Sequence, residues 1–297
     1  MAKRKSDSLW KVALEDLFPD LLRFIFSDAD QVYDMARGFE FLEKELIELD
    51  PEPDEEKDSR FADKLIKVYH RDGLEEWVLL HIEIQGYTSN RDAFAVRMFE
   101  YYYRIRDRHP GMLVSALAIF TGQDAQLMPK IYKHDYRGTK ILYEYPTLSI
   151  LDYTDEELDN SPNPFAQLLL IARLSLKERK IPEDQLFKAK LQIARKLKGR
   201  GFSEDKLRAI FIFLRNYVRF EDDENYSKFD NALKNDKSSI MNTVEYIKEE
   251  AKEEAFKTVI ANLLKRFGFS YPVTEIASMA GVPERLVNEV KKELNTH

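Results

Sequence analysis

Apolar positions recur at two spacings along this chain, and the change from one to the other divides it. Over residues 10–26 they return every three or four positions (Leu14, Leu17, Phe18, Leu21, Leu22, Ile25), the period of an amphipathic helix. Pro19 falls inside that pattern and predicts a break or a second helix start. Residues 28–36 read as a further short helix, and 39–49 alternate weakly, as a first strand would. Two apolar, β-rich runs follow at 61–69 and 77–85, joined across Gly73 as a hairpin. Residues 91–108 form a strong helical pattern stopped by His109-Pro110-Gly111. The run Leu113-Val114-Ser115-Ala116-Leu117-Ala118-Ile119-Phe120 is short and apolar throughout, as a buried strand is, and 141–145 is another strand candidate.

From Asn163-Pro164 onward the period is helical: 165–178, 182–198 and 203–219, then a long charged stretch at 239–267 stopped by Gly268. Ser203 ahead of Glu204-Asp205 predicts an N-terminal cap. Gly199-Arg200-Gly201 reads as a hinge between two helices. The fold class expected is α/β: a mixed-sheet core in the order α-β-β-β-α-β, followed by a helical C-terminal region. Three segments are expected: 1–160, 161–237 as a helical extension, and 238–297 as a charged helix with a helix-turn-helix-like tail.

Polar residues at strand spacing change the picture. In the second run His81, Glu83 and Gln85 alternate with Leu80, Ile82 and Ile84, so they share one face of an otherwise apolar strand. Asp63 begins the neighbouring strand. Burying such groups without partners is costly. Two carboxylates at a sheet end make a hard oxygen site suited to Mg²⁺ or Mn²⁺, an ion able to activate water and hold a phosphate.

Composition narrows the alternatives. The chain has 297 residues, 44% hydrophobic and 33% charged, so a sizeable core and a soluble surface are expected. With no cysteine, disulfides, thiolate metal sites and cysteine nucleophiles are excluded. No apolar run approaches the ~20 residues of a membrane span, and no signal-type stretch follows the basic N-terminus; the expectation is a cytoplasmic protein without membrane contact. No phosphate-binding glycine loop and no HExxH spacing occurs. The net charge of −7 is unevenly spread: residues 177–219 hold 13 Lys/Arg against 5 Asp/Glu, and 221–254 hold 5 Lys against 11 Asp/Glu. In the tail, Ala277, the Gly281 turn, Val282 and Val287 have helix-turn-helix spacing. Over 269–297, though, three Lys/Arg meet four Asp/Glu, which favours a structural or protein-contacting role over DNA reading.

Several stretches together resemble the PD-(D/E)XK nuclease superfamily, and within it the Rpn-like group of recombination-promoting nucleases and transposase-like proteins. They are Phe39-Glu40-Phe41-Leu42-Glu43-Lys44-Glu45-Leu46, Arg60-Phe61-Ala62-Asp63-Lys64-Leu65-Ile66-Lys67-Val68, His81-Ile82-Glu83-Ile84-Gln85, the helix from Arg97 to Ile105, and Asn163-Pro164-Phe165-Ala166. The resemblance spans most of 9–220. It implies a restriction-endonuclease-like core and metal-dependent hydrolysis of DNA phosphodiesters. Asp63 and Glu83 fall on the metal carboxylates, and Gln85 on the position usually held by lysine, as in the Rpn-like group. A neutral amide hydrogen-bonds but carries no charge; Lys64 or Lys67 is a candidate replacement, and Asp16 or Glu45 a candidate helical acid. Arg97, Tyr101, Arg104 and Arg108, at i, i+4, i+7 and i+11, form a stripe able to hold phosphates and stack on bases. DNA is the partner implied, with self-association left open. The competing expectation is a catalytically inactive scaffold of the same fold that binds DNA or protein.

Overall fold

The computed structural model describes residues 2–42, 61–83, 91–178, 180–235, 256–257, 259–264, 266, 268 and 271–295. The chain divides into two compact units, Met1–Tyr226 and Ser227–His297.

The first unit opens with α1 (Ala2–Ile25), α2 (Ala29–Val32), β1 (Phe39–Phe41), β2 (Phe61–Tyr69), β3 (Glu75–Glu83), α3 (Arg91–Arg108) and β4 (Leu113–Phe120). Among the described residues the order α-β-β-β-α-β is therefore present. After β4 come β5 (Ile131–Tyr136), β6 (Thr139–Glu144) and β7 (Thr147–Ser149). Five strands form one mixed sheet in the order β1-β2-β3-β4-β7, while β5 and β6 pair separately. β1, β2 and β3 run antiparallel in sequence; β3, β4 and β7 run parallel. β3 and β4 are therefore joined by a crossover through α3, as a parallel pair requires.

Each face of this sheet carries helices. Leu65, Trp77 and Leu79 pack with Ala116, Ala118 and Phe120 beneath Phe94, Met98, Tyr101 and Ile105 of α3. Those four helical residues recur at i, i+4, i+7 and i+11, which makes a single stripe. The opposite strand positions, Ile66, Val68, Val78 and Leu80, are equally buried. α1 lies over β2 and beside two later helices, α5 (Pro164–Ser175) and α7 (Glu204–Tyr217). There Trp10 meets Phe213 edge-on at 4.8 Å and Phe165 at 6.4 Å. The short α4 (Asp155–Asn160) precedes α5, and α6 (Glu183–Lys198) precedes α7.

Several local expectations are corrected. Pro19 breaks nothing: α1 is one helix. The proline removes one main-chain hydrogen bond, at about 3 kcal/mol. Leu17, Phe18, Leu21 and Leu22 on both sides of it are buried on one core, and burial at ~1.5–3 kcal/mol per side chain outweighs that loss. The helix expected at 28–36 ends at Val32, because Tyr33 turns extended and bridges to His70. β3 starts at Glu75 rather than 77, since the tight turn at Gly73 (φ +89°) closes on the His70 N–H to Leu74 carbonyl bond. The strand expected at 141–145 is half of a hairpin. Its turn, Arg137-Gly138, has positive φ at both positions (47° and 90°), the condition for a two-residue hairpin loop. Ser203 occupies the N-cap of α7 but its side chain makes no capping bond. Thr154, which was not anticipated, makes a full capping box with Glu157.

Two connections are fastened by cations. Arg200, between Gly199 and Gly201, donates to the carbonyls of Ser161 and Asp159 and to the Asp159 carboxylate, so the expected hinge is a tied connector. Lys190 of α6 is fully buried. Its ammonium donates to the Arg215 carbonyl at 3.2 Å and the Val218 carbonyl at 2.6 Å, and sits 4.1 Å from the Phe220 ring centroid. It thus satisfies carbonyls at the C-terminus of α7, where a helix dipole favours positive charge.

Helix α8 (Asp223–Asn235) contains the boundary between the units. In the second unit, α9 (Val273–Ala280) and α10 (Glu284–Asn295) are joined through Gly281 in the left-handed conformation (φ +67°). Ile276, Ala277, Val287 and Val290 enclose a small core with Ile260 and Leu264. The helix-turn-helix spacing of the tail is thus present as a packed three-segment cluster.

Candidate functional site

The sheet register brings the two acidic positions to one end of adjacent strands. In the antiparallel β2–β3 pair, Asp63 stands opposite His81 and Glu83 opposite Phe61. Strand positions of equal parity share a face. Asp63 has the parity of Leu65, and His81 and Glu83 that of Leu79; Leu65 and Leu79 both pack under α3. Glu83 is the last residue of β3, the middle strand of the sheet, and its parallel neighbour on β4 is Phe120. The next layer inward on that face is dry: Leu65, Leu79, Phe94 and Phe120 are at most 1% exposed. The side chains of Asp63, His81 and Glu83, and the whole of Gln85 and Glu45, lie outside the described residues.

The residues considered as helpers separate. Lys64 has the opposite parity and faces α1. It is 3% exposed, lies 3.8 Å from a Glu15 carboxylate oxygen and 4.4 Å from the Phe41 ring centroid. Lys67 shares the parity of Asp63 but sits at the hairpin end of β2, 3.2 Å from Glu75. Four residues of strand, about 13 Å, separate it from Asp63. Lys64 is thus engaged on the α1 side and Lys67 at the hairpin end. Asp16 looks toward α7: burial pushes its carboxyl above the usual range, Arg208 opposes that rise and Asp205 adds to it. Glu15, one residue earlier, is the α1 acid that reaches β2.

The α3 stripe does not hold together as a binding face. Tyr101 is part of the core under α3 and cannot serve as a stacking surface. Arg97 is half-buried with its guanidinium carbon 5.7 Å from the Phe94 ring centroid. Arg104 pairs with Glu100 at 4.0 Å, and Arg108 is exposed at the end of the helix. The basic stretch 177–219 is likewise drawn into local pairs: Lys177 with Asp155, Lys196 and Arg200 with Asp159, Lys206 with Asp20, and Arg208 with Asp205. Its excess charge is partly spent within the fold, and Lys190 is buried.

A polar cluster not anticipated from sequence lies at the other end of β3. Glu76 accepts from the Tyr33 hydroxyl at 3.3 Å and lies 2.8 Å from Nε2 of His70. Burial, and then the Glu76 charge, hold the Tyr33 phenol well above its ordinary value. The cluster ties the segment after α2 to the β2–β3 hairpin. Among the described residues, no three His, Asp or Glu side chains gather where a metal ion would bind, and no helix is long and apolar enough to cross a membrane. Comparison of the chain with protein families, with curated proteins and with solved structures finds no match.

Proposed function

We propose that this protein is a metal-dependent DNA endonuclease with a PD-(D/E)XK core of the Rpn-like type. The observation that carries the reading is the β2–β3 register. It sets Asp63 and Glu83 two residues out of opposition, at strand positions of one sheet face, at the end where α3 crosses to a parallel strand. The α-β-β-β-α-β order around them supports it.

The donor set fits a hard divalent cation. Two carboxylates on neighbouring strands would hold Mg²⁺ or Mn²⁺ through oxygen. When bound there the ion supplies Lewis-acid charge for a phosphodiester and makes a water molecule more acidic. Asp63 and Glu83 would carry the ligand charge. Gln85 would orient the attacking water through its amide without adding charge. His81, opposite Asp63, is the titratable neighbour closest in register.

A catalytically inert scaffold that binds DNA or protein is the second reading. One finding favours it: Lys64 is buried beside Glu15 of α1 and Lys67 pairs with Glu75 at the hairpin end of β2. Supercoiled plasmid separates the two. The nuclease reading expects nicking that needs Mg²⁺ or Mn²⁺, stops with EDTA, and is lost in Asp63→Ala and Glu83→Gln. Cleavage that persists in both variants, or none with either metal, would leave the scaffold.

A further inference from the structure

We propose that the outer side of α3 and the β5–β6 hairpin form a stacking platform for single-stranded DNA. The choice of DNA rests on the nuclease reading above; the platform itself rests on its own geometry. Three rings form a near-parallel ladder. Phe99 lies 4.7 Å from Tyr132 at 15° and 6.4 Å from Tyr103 at 23°. Tyr103, at the free end, is 57% exposed. Tyr132, His134 and Tyr136 alternate along β5 and so share one hairpin face. Tyr136 is 63% exposed, with the Arg137 guanidinium carbon 5.8 Å from its ring centroid.

Charge complements the rings. Residues 130–140 hold Lys130, Lys133, Arg137 and Lys140 against Asp135 alone, all of them exposed, in a chain whose net charge is −7. Lys140 is the one that pairs with Asp135, at 3.3 Å. At the foot of the ladder a groove of about 350 Å³ opens between the start of β4 and β6, lined by Tyr102, Ser115, Leu142, Tyr143 and Glu144 among others. The buried Tyr143 hydroxyl meets no hydrogen-bond partner among the described residues. The exposed Tyr103 ring at the end of the ladder and the exposed Tyr136 ring on the hairpin, beside exposed cations, suit unpaired bases on a phosphate backbone. A duplex keeps its bases stacked on one another and offers the rings little.

The test is anisotropy of a labelled oligo(dT) of about 12 nucleotides, with EDTA present so that nothing is cleaved. Tyr103→Ala and Tyr136→Ala should each weaken binding about 10-fold, and Tyr103→Phe and Tyr136→Trp should restore it. Lys133→Ala and Arg137→Ala should each lower the slope of log affinity against log salt by about 0.7. Alanine variants that bind like the parent would overturn the platform, as would a duplex of equal length competing better than the single strand. So would oligo(U) bound more tightly than oligo(dT), or a loss of binding that tracks a change of oligomeric state in sedimentation. If plasmid nicking depends on Asp63 while the rings prove irrelevant, the platform fails and the nuclease reading stands. If the rings matter but Asp63→Ala still nicks, the platform stands and the nuclease site fails.

Discussion

Replacing Lys190 with methionine should cost the first unit about 3 kcal/mol. The ammonium is fully buried and donates to two main-chain carbonyls, at 3.2 and 2.6 Å, where α7 ends. Hydrogen bonds to a charged group contribute roughly 1.5–3 kcal/mol each. The Phe220 face at 4.1 Å adds about 1–2 kcal/mol in a desolvated setting. Burying the ammonium costs several kcal/mol in the parent, which offsets part of that sum. Methionine keeps the apolar stem and most of the volume, so packing changes little. What remains is two carbonyls with a lost donor, each worth about 1–3 kcal/mol. Urea unfolding followed by tryptophan emission reads this directly, because Trp10 packs on Phe213 and Tyr217 of α7. At a slope near 3 kcal/mol/M, the midpoint should fall by about 1 M. A Lys190→Met protein within ~0.5 kcal/mol of the parent, or more stable than it, would show that desolvation cancels the bonds and that the lysine adds no net stability.

Other expectations follow from the same geometry. Asp16→Asn should stabilise the fold at neutral pH. Its carboxyl is raised in the folded state, chiefly by burial, so charging it costs stability above that raised value; the variant's advantage should shrink as pH falls toward the ordinary aspartate range, and a constant advantage across pH would contradict the assignment. The same variant should leave metal-dependent nicking unchanged, since Asp16 looks toward Arg208. Lys64→Gln should also keep the nicking rate within a few-fold, because Lys64 stands on the opposite strand parity from Asp63; a loss of about 10²-fold or more, the scale of a catalytic contact, would overturn that placement. Gly281→Ala should destabilise the second unit by about 1 kcal/mol, through backbone strain at φ +67° rather than crowding, since a methyl there meets nothing within 4 Å. Hydrogen exchange at Ile276 and Val287 would report it, and unchanged protection would refute it.

The parts of the fold that sequence revealed were those where one pattern dominates. β2, α3 and β4 appear at the expected bounds because each is a long run of a single period closed by glycine or proline. The short pieces were lost: β7 has three residues, too few for any period. The β5–β6 hairpin was half seen, since its Arg137-Gly138 turn lacks the usual Asn or Asp and its strands are too exposed to alternate in hydrophobicity. Pro19 misled because tertiary burial outweighs a local rule. At the site, the hairpin expected from the two β-rich runs is present, and its register sets the backbone positions of Asp63 and Glu83 at one end of adjacent strands. What the pattern did not show is which helix covers each face: Lys64 meets Glu15 of α1, while Leu65 and Leu79 pack under α3. Counting charge showed a basic excess at 177–219, but a count cannot tell that Asp20, Asp155 and Asp159 fold back to pair with part of it.

The base of the β5–β6 excursion is closed: the Tyr145 hydroxyl donates to the Pro129 carbonyl at 2.8 Å, so the two roots of the hairpin are held together. Beyond that clasp the two strands pair only with each other. The excursion is therefore an exchangeable cassette. It can lengthen, shorten or take a foreign hairpin of matching root without altering the register of β3, β4 or β7, so the surface it offers is free to diversify while the sheet stays fixed.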